Sequence, residues 1–105
     1  MISTHILDTH LGQPAAQVMV RLYADQTCLA EAYTNADGRI SGFDVTDLAT
    51  GIYALEFDVG TYFQQKNTDT FFPKAVIHFY VQDITQHYHI PLLISPFAYS
   101  TYRGS

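Results

Sequence analysis

A histidine pair spaced H-x-H at His87 and His89, a third histidine at His5, and Arg39 and Arg103 are the residues of this chain best suited to chemistry. An imidazole takes up or gives a proton near physiological pH, which suits acid–base chemistry where a cleft holds it, and a guanidinium offers a fixed fork of donors. The same three histidines, His5, His87 and His89, also offer nitrogens for a zinc ion, although no H-E-x-x-H or paired C-x-x-C accompanies them. A nucleophilic serine lacks its G-x-S-x-G elbow, and the phosphate-binding and dinucleotide fingerprints are absent. Arg39 directly follows Asp37-Gly38. It is either a solvated loop residue or a guanidinium on a short tether that reaches over a neighbouring edge.

The elements that must position these groups are strands. "MISTHILD" alternates, with Ile2, Thr4 and Ile6 on one side and Ser3, His5 and Leu7 on the other. "AQVMVRLYA" and "CLAEAYT" form a hairpin across "DQT", and Val18, Val20 and Leu22 make its inner face. "NADGRISGFD" is the densest turn signal and leaves room for a short strand only. A strand from about Ile52 to Asp58 turns Tyr53, Leu55 and Phe57 inward, and "TYFQQKN" is expected to form the single helix. "AVIHFYV" resumes the β pattern after Pro73, with Val76, His78 and Tyr80 on one face. In "HYHIPLLIS", Tyr88, Ile90 and Leu92 face the core, which turns His87 and His89 outward with Pro91 and Leu93. Pro91 predicts that part of this strand lies at an edge or a bulge. "FAYSTY" is the last strand, with Ser100 and Tyr102 on one side and Thr101 on the other. Seven or eight short strands separated by turns predict an all-β, two-sheet antiparallel sandwich with one short helix, a single domain over residues 1–105.

Composition limits what such a domain can do. Ten Asp and Glu against five Lys and Arg give a formal charge of −5, which argues against a nucleic-acid binder. No apolar run approaches a membrane span and no leader precedes "MISTHILD", so a soluble, cytoplasmic protein is expected. Cys28 is the only cysteine and excludes an internal disulfide. Charged residues are 14% of the chain and apolar ones 48%, a surface that favours an oligomer. His5, His87 and His89, outward on partly apolar strands, would then lie in a cleft between subunits.

The stretches "STHILDTHLGQPA", "TNADGRI", "GIYALEFDVGTYF" with "FFPKAVIHFYV", and "HYHIPLLISPFAYSTYRGS" occur in the order found in the transthyretin-related family. The chain resembles this family over nearly its whole length, and most specifically its 5-hydroxyisourate-hydrolysing branch, through the "YRGS" ending and the histidine of "STHILD". One departure is "SPFAYS", where the family more often has glycine at the position of Ala98. The resemblance implies a transthyretin-like sandwich assembled as a homotetramer, a dimer of dimers, with active sites in a central channel. It implies hydrolysis of 5-hydroxyisourate to 2-oxo-4-hydroxy-4-carboxy-5-ureidoimidazoline in urate breakdown, with no metal or other cofactor. Carried over motif by motif, His5, Arg39, His89 and Ser105 become the catalytic residues. Substrate contact falls to His5, Arg39, Tyr102 and Arg103, and His87 becomes a supporting residue. The ending is implied to be functional, Ser105 acting through its hydroxyl or terminal carboxylate. A small-ligand carrier of the transthyretin type is the alternative, and the polar, reactive set His5, Arg39, His89 and Tyr102 is what separates the two.

Overall fold

A computed structural model describes all 105 residues, Met1–Ser105. Alternation of apolar and polar residues produces strands β1 (Ile2–Asp8), β2 (Gln13–Pro14), β3 (Met19–Ala24), β4 (Thr27–Tyr33), β5 (Arg39–Ile40), β6 (Gly51–Phe57), β7 (Ala75–Val81), β8 (Tyr88–Ser95) and β9 (Ala98–Thr101), with one helix, α1 (Val59–Gln65), between β6 and β7. Two of the nine strands are only two residues long. The remaining seven, in two sheets, give the sandwich that the sequence predicts.

One sheet runs β2-β1-β8-β9, with β5 paired to β1, and the other runs β4-β3-β6-β7. Every pairing is antiparallel except β1 with β8, which is parallel, so the sandwich departs from the all-antiparallel expectation at one ladder. The inner faces meet in one cluster that includes Ile6, Val20, Leu22, Leu55, Phe57, Phe63, Leu92 and Ile94. Removing these side chains from water is the main driving force for closing the two sheets.

Two local expectations change. The helix begins two residues before "TYFQQKN": Asp58 caps it, its carboxylate accepting the Thr61 N–H at 3.4 Å and the Thr61 hydroxyl at 3.0 Å. Gly60, a poor helix former, conceals that start in the sequence. Pro91 is not on an edge, because β8 has β1 on one side and β9 on the other. The β9 ladder instead breaks there. Pairing runs from Ser95↔Ala98 to Leu92↔Thr101 and resumes only at His89↔Gly104, so the missing N–H falls in the gap. The Thr101 hydroxyl closes the gap by donating to the Pro91 carbonyl at 2.6 Å.

The hydrogen bonds that end β1 are equally specific. Thr4, buried, donates its hydroxyl to the Ile90 carbonyl at 2.6 Å and so ties β1 to β8. At the far end Asp8 accepts from the N–H groups of His10 (2.9 Å) and Leu11 (3.0 Å) and from the Tyr62 hydroxyl (2.7 Å).

Candidate active site

The parallel register of β1 and β8 sets the site. It places Ser3 opposite His89 and His5 opposite Pro91, so the outward face of β1 adjoins the outward face of β8. On the other side of β1, β5 pairs with Arg39 opposite His5. The turn before β5 is what fixes Arg39. The Asn35 side-chain carbonyl accepts the N–H groups of Asp37 (2.9 Å) and Arg39 (3.0 Å), and the Gly38 carbonyl accepts the Ile6 N–H at 2.7 Å.

Gly38 has φ +73°, and a Cβ there would stand 2.5 Å from the Ile6 carbonyl oxygen. Neither that dihedral nor that gap accommodates a side chain. Gly38→Ala is therefore expected to cost about 1–3 kcal/mol. Urea denaturation checks this, and an unchanged midpoint would show that the turn relaxes freely.

A cavity of about 200 Å³ opens between these strands, lined by Ser3, Arg39, Ser41, His87, His89 and Ser105 among others. Three of the sequence-derived candidates, Arg39, His89 and Ser105, meet in its wall. His5 lies beside them: Arg39 and His5 both act on the proton affinity of His89. Burial first, then the Arg39 guanidinium, then His87 and His5 hold the His89 imidazole below its ordinary pKa. Burial and then Arg39 likewise lower His5, against the opposing pull of the Asp37 carbonyl and carboxylate. Both rings are thus biased toward the neutral form, which can accept a proton, beside a permanent positive charge.

The His89 ring is held from two sides. Its Nδ1 lies 2.7 Å from the Ser3 hydroxyl oxygen, and its Cδ2 edge faces Gly104, where an added Cβ would come within 2.5 Å. The Gly104 N–H donates to the His89 carbonyl at 2.8 Å, so the end of the chain packs directly on the imidazole. Nε2 makes no hydrogen bond within the chain.

Tyr102 and Arg103 sit elsewhere in the same neighbourhood. Both line a second concavity of about 300 Å³ with His78, Tyr80, Tyr88 and His89, so His89 borders the two cavities. The Arg103 guanidinium stacks over the Tyr88 ring at 4.7 Å and donates to the Gln86 side-chain carbonyl at 3.0 Å. For the zinc alternative, the donor nitrogens are engaged differently: His87 Nε2 and His89 Nδ1 both meet the Ser3 hydroxyl, and no trio of His, Cys, Asp or Glu side chains converges.

Ser3 is the site residue that sequence reasoning passed over. Strand parity placed it on the face of His5, but its serine type carried no signal without the register that sets it against His89.

Comparison with known proteins follows the same lines. The chain is 46% identical over 112 residues to the 5-hydroxyisourate hydrolase of Caulobacter vibrioides, covering 99% of this chain and 97% of that one. Its fold superposes on the Klebsiella pneumoniae 5-hydroxyisourate hydrolase with a TM-score of 0.92 at 42% identity, covering 99% and 98% of the two chains. Sea bream transthyretin, solved with thyroxine, superposes with a TM-score of 0.88 at 31% identity over 98% of this chain and 93% of that one. A family model described as HIUase/Transthyretin matches residues 2–104, and the chain belongs to that family.

Proposed function

We propose that this chain hydrolyses 5-hydroxyisourate in the cavity formed by β1, β5 and β8. The observation that carries the reading is the register that brings the imidazoles of His5 and His89 and the Arg39 guanidinium to one sheet face, where burial and Arg39 disfavour the charged form of both rings. The full-length identity to 5-hydroxyisourate hydrolases supports the substrate. Hydrolysis requires an amide carbon of the six-membered ring to accept a hydroxyl and the resulting oxyanion to be held. His5 and His89 take the base and proton-transfer roles. Arg39 binds the planar, carbonyl-rich ring and stabilises the oxyanion through its donor fork. Tyr102 and Arg103 contact substrate from the adjoining concavity, and Ser105 orients a histidine or the attacking water.

The reading includes a homotetramer built as a dimer of dimers from one domain spanning residues 1–105. Its support is the unpaired sheet edges, β7 and β9 among them, and the exposed Ile52, Tyr80 and Tyr102, which ask for cover. It also places the protein in the cytoplasm, in urate breakdown, where a single cysteine, Cys28, suits a reducing compartment.

An ultraviolet assay of 5-hydroxyisourate freshly generated from urate tests the activity, since decay no faster than the spontaneous rate would remove it. The same assay has a pH signature. Both histidines bind a proton less readily when folded, so kcat/KM should hold until the pH falls below 6.5 and then drop as they protonate. Because the unfolded chain binds those protons more readily, folding stability should decline over the same acidic window. An acidic limb centred above 6.5 would contradict the assignment.

A further inference from the structure

We propose that Ser3 is a positioning residue that couples His89 to His87, so that the proton His89 draws from water is held as charge on the exposed imidazole of His87. The proposal rests on the hydrolase reading above and deepens it. Its basis is a three-membered contact. The buried Ser3 hydroxyl oxygen lies 2.7 Å from His89 Nδ1 and 2.7 Å from His87 Nε2, while His87 itself is open to solvent.

A hydroxyl has one proton to donate, so it cannot donate to both rings at once. When it donates to His87 Nε2, it accepts from His89 Nδ1–H, and Nε2 of His89 carries the lone pair. When it donates to His89 Nδ1, the order reverses and Nε2 of His89 carries a proton. The Ser3 hydrogen bond therefore sets which nitrogen of His89 is basic, as the partner of one ring nitrogen ordinarily does. Arg39 lines the same cavity and has only donors to offer, which favours the first arrangement at rest.

The proton count then closes. Water adds its hydroxide to the ring carbon and gives its proton to His89 Nε2. The Nδ1 proton of His89 passes to the Ser3 oxygen as the Ser3 proton passes to His87 Nε2. His89 is left neutral with a proton on Nε2, and the positive charge rests on His87. When the carbon–nitrogen bond breaks, Nε2–H protonates the leaving nitrogen and the two transfers run backward, restoring the starting state. The groups that face His89 explain the benefit: Arg39 from β5, His5 from β1 and His87 from the residue just before β8 all disfavour an imidazolium at His89. Moving the charge to the solvent-exposed ring relieves that cost.

The test is a long-range proton–nitrogen NMR correlation of the imidazole rings in the free protein, alongside kinetics of Ser3→Ala, His87→Ala and the double variant. Wild-type His89 is expected to show a bare Nε2 and a protonated Nδ1, and Ser3→Ala to populate the Nε2–H form. Each single variant should lower kcat about a hundredfold with KM changed by about twofold or less, and the double variant should be no worse than either. If Ser3→Ala does not fold, His87→Ala, at an exposed position, should move the His89 nitrogens in the same way because the Ser3 proton loses its acceptor. Unchanged His89 nitrogens, or losses that multiply in the double variant, would overturn the coupling. A wild-type protein that leaves 5-hydroxyisourate to its spontaneous decay removes the hydrolase reading instead, and the NMR comparison still decides whether Ser3 governs His89.

Discussion

Replacing His89 with alanine is expected to lower kcat for 5-hydroxyisourate by about 10²- to 10⁴-fold, the range that a positioned general base or acid contributes. The substitution removes the ring that borders both cavities and its Nε2, which has no partner in the chain. Arg39→Ala is expected to cost about 10²- to 10³-fold, because donors aimed at a developing oxyanion act where water is displaced. Arg39→Lys should recover only part of this, since an ammonium cannot reproduce a planar two-pronged donor. Stopped-flow ultraviolet traces, with circular dichroism to confirm the sandwich, measure both losses. Wild-type turnover by a folded His89→Ala or Arg39→Ala protein would sink the proposed roles.

The largest effect on stability is expected at Asp8. Its carboxylate is 1% exposed, accepts two backbone N–H groups of the turn after β1, and accepts the hydroxyl of the buried Tyr62. Burial, and then Asp8, raise the Tyr62 hydroxyl pKa well above the ordinary phenol value, so that hydroxyl remains a donor. Asp8→Ala leaves three donors without their acceptor and should destabilise the fold by about 3–5 kcal/mol. In urea that corresponds to a fall in midpoint of about 1 M or more. Tyr62→Phe, which leaves the carboxylate its two backbone donors, should cost about half as much or less. An Asp8→Ala midpoint within experimental error of wild type would show that water replaces the carboxylate at no cost.

Strand parity made much of this architecture legible. Period-2 alternation correctly turned Tyr88, Ile90 and Leu92 inward and His87 and His89 outward, because one face of a sheet must be dry. Register was not legible. The contact of Ser3 with His89 depends on a parallel ladder between segments 86 residues apart, and nothing local in either segment specifies it. Pro91 misled for a related reason: a missing N–H is tolerated inside a sheet where the neighbouring ladder has a gap, and that gap is a property of β9. The placement of Arg103 over Tyr88 was equally hidden, since it depends on a side chain folding across its own strand end. The family resemblance supplied what periodicity could not, the grouping of His5, Arg39, His89 and Ser105, three of which meet in one cavity wall.

The parallel ladder between β1 and β8 also imposes an order of events on synthesis and folding. During translation β1 emerges first and its eventual neighbour almost last, so β1 must wait with one backbone edge unsatisfied while β3 and β4 can already close their hairpin. The imidazoles come together only when this longest loop closes. Hydrolytic activity is therefore a report of completed folding: a nascent chain still lacks His89 and Ser105, and a full-length but partly folded chain carries every residue of the site and has no site.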